Sequence, residues 1–331
     1  MTMNSKKEHN VTLTPATMKT LRVHSYGEPA DVLRLEEVAV PSPTADRIRV
    51  RVHACALNPA DWAVCQGFFS VPPPRGIGFD VSGTVDALGE GVTGVSVGDL
   101  VFGVPDYMGY PTAGASDYAI LAVWVPVPKG LDLAEAAALP MVVETATRSL
   151  DLLGLTAGQT ILINGGGTMT GFAAVQMALM CGATVITTAG ETFASRLRDL
   201  GAKVTPYGDG MVERVREIAG GAPDFVLHTA QIEGVLPDLI KIVDGDPRRV
   251  MSISDFDAEG LGIRTTGREP GIVIRYDTLG HYAQLAAERR FTIPVARSFS
   301  LKDWREALDI SLNKSAHGKL LLLPDHATSM N

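Results

Sequence analysis

The sequence is short of cysteine and free of long apolar runs, and each of these absences excludes a class of protein. Three cysteines in 331 residues, Cys55, Cys65 and Cys181, are too few and too scattered for a disulfide framework or a CxxC metal site. Charged residues or glycine-rich turns interrupt every apolar run, so no segment is long enough to cross a bilayer. These absences favour a protein of the reducing cytoplasm that does not enter a membrane.

An excess of basic residues is also lacking. Lys and Arg total 29 against 37 Asp and Glu, the formal net charge is −8, and the basic residues are scattered. Such a surface repels polyanions, so we expect no nucleic-acid partner. With 46% hydrophobic and 20% charged residues, the composition is that of a globular protein, and the length allows two domains.

The first part of the chain is polar. Residues 1–17 lack the apolar core of a signal peptide and carry charged residues too early for a membrane anchor. We expect this segment to be a disordered tail.

Two sequence patterns divide the rest of the chain. Between Met18 and Val125, short apolar strands alternate with Pro, Gly and Asp turns, which is typical of an all-β or barrel-like region. From Ala134 onward, predicted helices and strands alternate, beginning with one helix that runs to Gly154. Repeated βαβ units of this length predict a parallel, doubly wound sheet, so the fold class is α/β.

A glycine-rich turn, INGGGTMTG at residues 163–171, joins a predicted strand to a predicted helix. At such a junction the unpaired N–H groups and the helix dipole attract phosphate. The dinucleotide fingerprint needs glycine at its first, third and sixth positions. A start at Gly165 puts Thr170 sixth, and a start at Gly166 puts Thr168 third. A tight turn without any ligand and a methyltransferase-like adenosyl site therefore stay open as alternatives.

The end of the next predicted strand bears on the choice of dinucleotide. Residues 187–190, TTAG, offer no carboxylate to the ribose hydroxyls of NAD. Arg196 on the following helix could pair with the 2′-phosphate of NADP. A solvated Arg196, with Glu191 opposing any phosphate, is the alternative. We predict NADP.

The chain resembles the medium-chain dehydrogenase/reductase superfamily, in its zinc-free quinone oxidoreductase branch, which includes zeta-crystallin-like proteins. The resemblance covers residues 18–324 and rests on these stretches: MKTLRVHSYGEP, LNPADW, GFDVSGTVDALGEGVTGVSVGDLVFG, LDLAEAAALP, TAGQTILING, FAAVQMA, LRDLGA and HGKLLL. It implies a GroES-like β-barrel catalytic domain, residues 18–138 and 292–325. A Rossmann domain, residues 139–291, would be inserted between the two parts.

The resemblance also implies that the protein binds no metal. Zinc relatives supply Cys, His and Cys where this chain has Asn58, Phe79 and a residue near Val142, none of which is a zinc ligand. The four-cysteine structural lobe of those relatives is missing as well. A zinc alcohol dehydrogenase is therefore disfavoured.

The implied activity is the NADPH-dependent reduction of a quinone or an enone, with a small-molecule substrate and a homodimeric enzyme. Hydrogen-bond donors near the substrate carbonyl oxygen would stabilise the negative charge that develops there. The alternative is a non-redox or cofactor-independent binding or biosynthetic protein on the same scaffold. It is motivated by the turn, because relatives read GAAGGVG there and Thr168 and Met169 would crowd the pyrophosphate.

Four residues are candidates for catalysis: Asn58, Tyr107, Tyr110 and Glu144. By resemblance Asn58 lies beside the nicotinamide, although a turn-forming role before proline fits it equally. Either tyrosine hydroxyl could donate to a developing oxyanion. Glu144 could be an acid or base, but it precedes Arg148 by four residues, and an ordinary helix ion pair is the favoured interpretation.

Cofactor-binding candidates come from the glycine turn, from strand ends and from positions that match the family. They are Thr145, Gly165, Gly166, Gly167, Thr168, Met169, Thr170, Thr188, Arg196, Tyr207, Thr229, Ile253, Ser254 and Lys319. By resemblance Thr145 contacts the nicotinamide carboxamide, and Lys319 is the C-terminal basic residue near the cofactor. Asp61 is interpreted as a structural acceptor for the neighbouring loops.

Overall fold

A computed structural model describes residues 14–69, 72–253, 255–267 and 269–328. Most of the predicted tail, residues 1–13, and the candidate Ser254 lie outside these ranges. The strands are β1 Thr17–Val23, β2 Leu33–Ala39, β3 Ile48–Ala56, β4 Arg75–Gly76, β5 Asp80–Leu88, β6 Leu100–Pro105, β7 Tyr118–Pro126, β8 Thr160–Asn164, β9 Thr184–Thr188, β10 Lys203–Thr205, β11 Phe225–His228, β12 Val250–Ser252, β13 Arg264–Thr265, β14 Val295–Ser300 and β15 Lys319–Leu323.

The α-helices are α1 Pro29–Val32, α2 Pro59–Cys65, α3 Leu133–Ala137, α4 Pro140–Leu153, α5 Met169–Met180, α6 Glu191–Asp199, α7 Met211–Ala219, α8 Leu236–Ile242, α9 Leu279–Ala287, α10 Trp304–Leu312 and α11 Asp325–Thr328. None of the helices in the described residues is both long enough and apolar enough to span a membrane.

The N-terminal strands, together with the C-terminal strands β14 and β15, form two mainly antiparallel sheets. One has the order β2-β1-β4, and the other has the order β14-β15-β3-β5-β6-β7, with a further pairing of β3 to β7 that closes a barrel. Alternate side chains of these strands, among them Val50, Val52 and Val81, fill the barrel core. Because β15 pairs with β3, the C-terminal Lys319 is brought back to the N-terminal barrel.

The region from β8 to β13 forms one parallel sheet with the order β10-β9-β8-β11-β12-β13. The first strand in sequence is central, and the chain reverses its direction of travel across the sheet between β8 and β11. Ligands of doubly wound sheets bind at such a switch point, outside the carboxyl ends of the strands. The predicted α/β fold, a barrel joined to a doubly wound parallel sheet, is confirmed.

Helices cover both faces of the parallel sheet, as its continuous apolar strands require. Ile161 and Ile163 belong to the same apolar core as residues of α4, α5 and α9. Leu162 and Val226, on the opposite face, pack with α7 and α8. Successive side chains of a strand point to opposite faces of the sheet, so neighbouring residues belong to different cores.

One local prediction was wrong, and one short strand was not predicted. The single helix expected from Ala134 to Gly154 is two helices, α3 and α4, because Pro140 has no N–H to continue α3 and instead occupies the first turn of α4. Gly154 does end α4, in the left-handed conformation at φ 71°. The two-residue strand β13 was not predicted, since a strand this short carries no periodic signal.

Candidate active site

The Asp61 carboxylate fixes the loops on the barrel side of the site. It accepts hydrogen bonds from the backbone N–H groups of Asn58 at 2.7 Å, Gly78 at 2.6 Å and Phe79 at 3.2 Å. Burial raises the pKa of Asp61 to about 7, and the N–H donors of Asn58 and Gly78 oppose that shift. The interpretation of Asp61 as a structural acceptor for neighbouring loops agrees with these contacts.

Asn58, Asp80 and Lys319 form a buried group next to Asp61, and we call the four residues the buried polar cluster. The Asn58 amide donates to Asp80 at 3.0 Å, the Lys319 ammonium donates to Asp80 at 3.2 Å, and Lys319 also donates to the Asn58 side-chain oxygen. None of the four side chains is more than 5% exposed. Asp80 also accepts the N–H of Met141 in the first turn of α4 at 2.9 Å, which ties the barrel to the helix that leads into the parallel sheet.

Three rings line the barrel beside this cluster, and we call them the aromatic wall: Phe69, Phe79 and Tyr107. Their centroids lie 5.0 Å apart for Phe79 and Tyr107, 5.5 Å for Phe69 and Phe79, and 6.1 Å for Phe69 and Tyr107. Phe69 is 39% exposed, so the wall presents ring surface to solvent. Because Asp61 holds the backbone of both Asn58 and Phe79, the wall and the cluster are adjacent.

The two candidate tyrosines differ in what their hydroxyls do. The Tyr110 hydroxyl accepts the N–H of Thr44 at 2.8 Å and donates to the carbonyl of Ser42 at 3.1 Å, so it closes a surface loop. The Tyr107 hydroxyl has no hydrogen-bond partner in the described part of the chain. Burial raises the pKa of Tyr107 to about 12, so its phenol keeps its proton at neutral pH and can donate it to a hydrogen bond.

On the other side of the site, α4 carries Glu144 and Thr145. Both oxygens of the Glu144 carboxylate are engaged by the Arg148 guanidinium, at 2.6 and 2.9 Å, as the four-residue spacing indicated. The Thr145 hydroxyl lies 3.4 Å from the same carboxylate. Tyr276, which was not predicted, is also nearby: burial and then the charges of Glu144 and Asp80 raise its pKa.

The glycine turn is built by close packing. Gly165 adopts φ 100°, and a Cβ there would lie 2.6 Å from the Ala230 side chain. A Cβ on Gly166 would meet the Thr187 hydroxyl at 2.2 Å, and one on Gly171 would meet the Gly165 carbonyl at 2.2 Å. Gly165, Gly166 and Gly171 are therefore required by the fold of the turn itself.

The expected crowding by Thr168 and Met169 is not what the structure shows. The Thr168 hydroxyl turns back into the turn, where it donates to the Gly165 carbonyl at 2.9 Å and accepts the Gly171 N–H at 3.0 Å as the N-cap of α5. The Met169 side chain packs against the apolar core. Both replacements are accommodated inside the protein.

The start of α5 therefore fits a dinucleotide pyrophosphate. The N–H groups of Met169 and Thr170 have no hydrogen-bond acceptor in the part of the chain that the structure describes, as is usual in the first turn of a helix. They are the donors that an anion at a helix N-terminus uses.

The remaining cofactor candidates fall into two groups. Thr188 and Thr229 are buried beneath the turn, where Thr188 accepts the Gly165 N–H at 2.9 Å and Thr229 donates to the Gly165 carbonyl at 2.9 Å. Tyr207 is 57% exposed, and its hydroxyl lies 3.8 Å from a Cβ built on Gly190, just beyond β9.

Two candidates are turned elsewhere. The Arg196 guanidinium lies 5.0 Å from the Phe172 ring centroid and donates to the Thr292 hydroxyl at 2.9 Å. Ile253 donates its N–H to the His228 carbonyl and packs against the core. Neither is brought to the turn.

Several polar residues of the site were not among the candidates. In the sequence analysis Asp80 appears only within the stretch GFDVSGTVDALGEGVTGVSVGDLVFG, Asn164 appears only within the glycine-rich turn and the stretch TAGQTILING, and His228 is not mentioned. The signal that could have found the last two is a polar residue ending an otherwise apolar strand of a parallel sheet. Within the described ranges, no three His, Cys, Asp or Glu side chains are grouped as a metal site requires. The absence of a metal stays a prediction.

A parallel sheet with a switch-point glycine turn, joined to a barrel whose buried polar cluster contacts the start of α4, is the architecture of two-domain dehydrogenases and reductases. Comparisons with known proteins agree with it. Residues 44–129 match the alcohol dehydrogenase GroES-like domain. A 2-methylene-furan-3-one reductase of Solanum lycopersicum is 37% identical over 176 residues, 50% of this chain and 45% of that protein.

A quinone oxidoreductase of Rattus norvegicus is 33% identical over 186 residues, 54% of this chain and 55% of that protein. The chain thus spans about half the length of these two curated relatives. The structure of the quinone oxidoreductase from Coxiella burnetii has the same fold, with a TM-score of 0.77 at 24% identity over 93% of this chain and 99% of that one. The chain therefore contains a region that matches the alcohol dehydrogenase GroES-like domain, and over about half of its length it is similar to quinone and enone oxidoreductases.

Proposed function

We propose that the protein is a zinc-independent, NADPH-dependent oxidoreductase that reduces a quinone or an enone. The observation that carries the proposal is the glycine turn, because its two unusual residues face inward and leave the helix N-terminus open to a pyrophosphate. The names of the relatives support an oxidoreductase and a small-molecule substrate, and the superfamily supports a nicotinamide cofactor.

The dinucleotide would be held by the N–H groups at the start of α5, with Thr145 on α4 available to the nicotinamide end. When bound, the nicotinamide supplies the hydride for the reduction. Lys319 is buried in its cluster with Asp80 and Asn58, so in this proposal it fixes the barrel side of the site and does not touch the cofactor.

Residues of the barrel would orient the substrate. The exposed face of the aromatic wall suits a planar conjugated ring, which stacks or tilts against other rings at such centroid distances. The Tyr107 hydroxyl, protonated and without a partner in the described residues, would donate to the substrate carbonyl oxygen as negative charge develops there. Of the four catalytic candidates, Tyr107 is the one that we retain in this role.

The preference for NADP rests on the ends of β9 and β10. Neither Thr188 nor the two residues after it carries a carboxylate, and Arg196 is engaged elsewhere. The Arg214 guanidinium donates to the Thr205 hydroxyl at 3.1 Å and to the carbonyls of Asp209 at 2.6 Å and Pro206 at 3.0 Å. Its charge would favour a 2′-phosphate, and the Tyr207 hydroxyl could donate a hydrogen bond to that phosphate.

The test compares two tyrosines from one loop. Tyr107→Phe should lower kcat/KM for NADPH-dependent reduction of naphthoquinone and of benzylideneacetone by about a hundredfold, the usual loss for one oxyanion donor. Tyr110→Phe, whose hydroxyl only closes a surface loop, should leave kcat/KM unchanged. Equal activity of both variants would remove Tyr107 from the mechanism, and wild-type protein inactive on every quinone and enone tried would reject the proposed activity.

A non-redox protein on the same scaffold is the second candidate, and only the departure of the turn from GAAGGVG favours it. We also retain the homodimer and the cytoplasmic location as parts of the proposal. Analytical ultracentrifugation of the full chain tests the first.

A further inference from the structure

A row of buried polar side chains crosses the whole parallel sheet at its carboxyl edge, and we call it the polar row. Each member pairs in register with the next on the neighbouring strand, and none is more than 9% exposed. In spatial order its members are Thr205, Thr188, Asn164, His228, Ser252 and Thr265. In four of these strands, β8, β9, β11 and β12, the residue two positions earlier is apolar and packs in the core under α7 and α8. The polar row therefore lies on the same face of the sheet, at the carboxyl end of that core.

Part of this row is one chain of hydrogen bonds that ends at the glycine turn. The Gly165 N–H donates to the Thr188 hydroxyl at 2.9 Å, and that hydroxyl donates to the Asn164 side-chain oxygen at 2.7 Å. The Asn164 amide nitrogen lies 2.9 Å from His228 Nδ1. Because the Asn164 oxygen already accepts from Thr188, its nitrogen is the donor and Nδ1 is the acceptor.

This direction fixes the state of the His228 ring. With Nδ1 accepting, the single proton of the neutral imidazole lies on Nε2, which is buried and has no partner in the described part of the chain. A buried donor without an acceptor is unfavourable and uncommon. Burial also lowers the pKa of His228 to about 4, with the Asp255 charge opposing that shift, so the ring stays neutral at physiological pH and keeps Nδ1 free to accept.

The opposite side of Gly165 is held separately. Its carbonyl accepts the hydroxyls of Thr168 and Thr229, both at 2.9 Å. In the described residues, the acceptor of the Gly165 N–H is the Thr188 hydroxyl alone. The conformation of the turn at φ 100° therefore depends on a hydroxyl whose own orientation is set by Asn164 and, through Asn164, by His228.

We propose that His228 is a positioning residue for the phosphate-binding turn, acting through Asn164 and Thr188 on the Gly165 N–H. The hydrogen bond from the turn to this ring comes from Asn164, and in the described residues the ring makes no direct hydrogen bond with Gly165. The ring accepts the Asn164 amide, which leaves the Asn164 oxygen facing Thr188 and the Thr188 oxygen facing Gly165. The consequence for ligand affinity rests on the proposed function, but the consequence for the turn does not.

The test uses hydrogen exchange of the Gly165 amide, followed by NMR, together with the Kd for NADPH from nicotinamide fluorescence. His228→Leu removes the acceptor and should speed Gly165 exchange and weaken NADPH binding, each by about tenfold, the worth of one hydrogen bond. His228→Asn, whose side-chain oxygen can replace Nδ1, should restore both. Thr188→Val breaks the chain one link closer to the turn and should match the His228→Leu effect.

Thr265→Val is the matched control, because it alters the same row without touching the chain to Gly165, and it should move neither quantity. Unchanged Gly165 exchange in folded His228→Leu or Thr188→Val protein would overturn the positioning role. If Gly165 exchange responds as expected but no protein binds NADPH, the positioning role stands and the proposed function fails.

Discussion

The two sides of the site both contain buried polar groups, but one side is charged and the other is neutral. The buried polar cluster holds the carboxyl groups of Asp61 and Asp80 and the Lys319 ammonium, none more than 3% exposed. The polar row holds hydroxyls, an amide and a neutral imidazole. Buried charges need a partner at hydrogen-bond distance, whereas neutral groups need only a donor or acceptor. Substitutions in the buried polar cluster should therefore lower the free energy of unfolding more than substitutions in the polar row. Substitutions in the polar row should mainly change the conformation of the glycine turn.

The largest effect is expected from Lys319→Met. The substitution leaves Asp80 buried without its cation, and breaking such a pair costs about 3–5 kcal/mol. Urea denaturation at pH 7 measures the loss in the free energy of unfolding.

A second variant separates charge from packing. Lys319→Met combined with Asp80→Asn removes both charges and should recover most of the lost stability, because neutral partners carry no unpaired charge. If the double variant is as unstable as the single one, the Lys319 stem rather than its charge holds the cluster together.

An intermediate effect is expected from charging the neutral row. The pKa of His228 is about 4 in the folded protein and near its usual value of 6.5 in the unfolded chain. Between these two pH values the unfolded chain therefore binds a proton that the folded protein does not bind. Stability should therefore fall as the pH drops from about 6.5 to 4, by at most about 3 kcal/mol, and this loss should not grow below pH 4. The melting temperature of wild type should decline more steeply over that interval than that of His228→Asn, and parallel declines would contradict it.

The smallest effect is expected at the turn. Thr168→Gly removes the N-cap hydroxyl and should cost a few tenths of a kcal/mol. Because that hydroxyl faces inward, the Kd for NADPH should change by less than about threefold. Thr168→Ser keeps the cap and serves as the control. A large gain in affinity for Thr168→Gly alone would show that the side chain does crowd the pyrophosphate.

The fold was largely predictable because its signals are local. Alternating strands with Gly and Pro turns predicted the barrel, and helix and strand in alternation predicted the parallel sheet. The break at Pro140 was within reach of the same reasoning, since a proline inside a helical pattern marks a boundary. The domain limits at residues 138 and 292 stay a prediction.

The site was less predictable because its contacts are distant in sequence. Asn58 and Lys319 are 261 positions apart in the sequence, and they are in contact only because β15 pairs with β3. The polar row contributes one residue per strand, so no stretch of sequence displays it. The Thr168 side chain points into the turn because of the backbone conformation at the N-cap of α5. A comparison of the sequence with GAAGGVG carries no information about that conformation.

The central claim is that the altered glycine turn binds a nicotinamide dinucleotide. Titration of the full chain with NADPH and with NADH, followed by nicotinamide fluorescence and by the shift in melting temperature, tests it directly. The account predicts micromolar binding of NADPH, weaker binding of NADH and a melting temperature that rises with ligand concentration. Binding of neither dinucleotide would contradict the account.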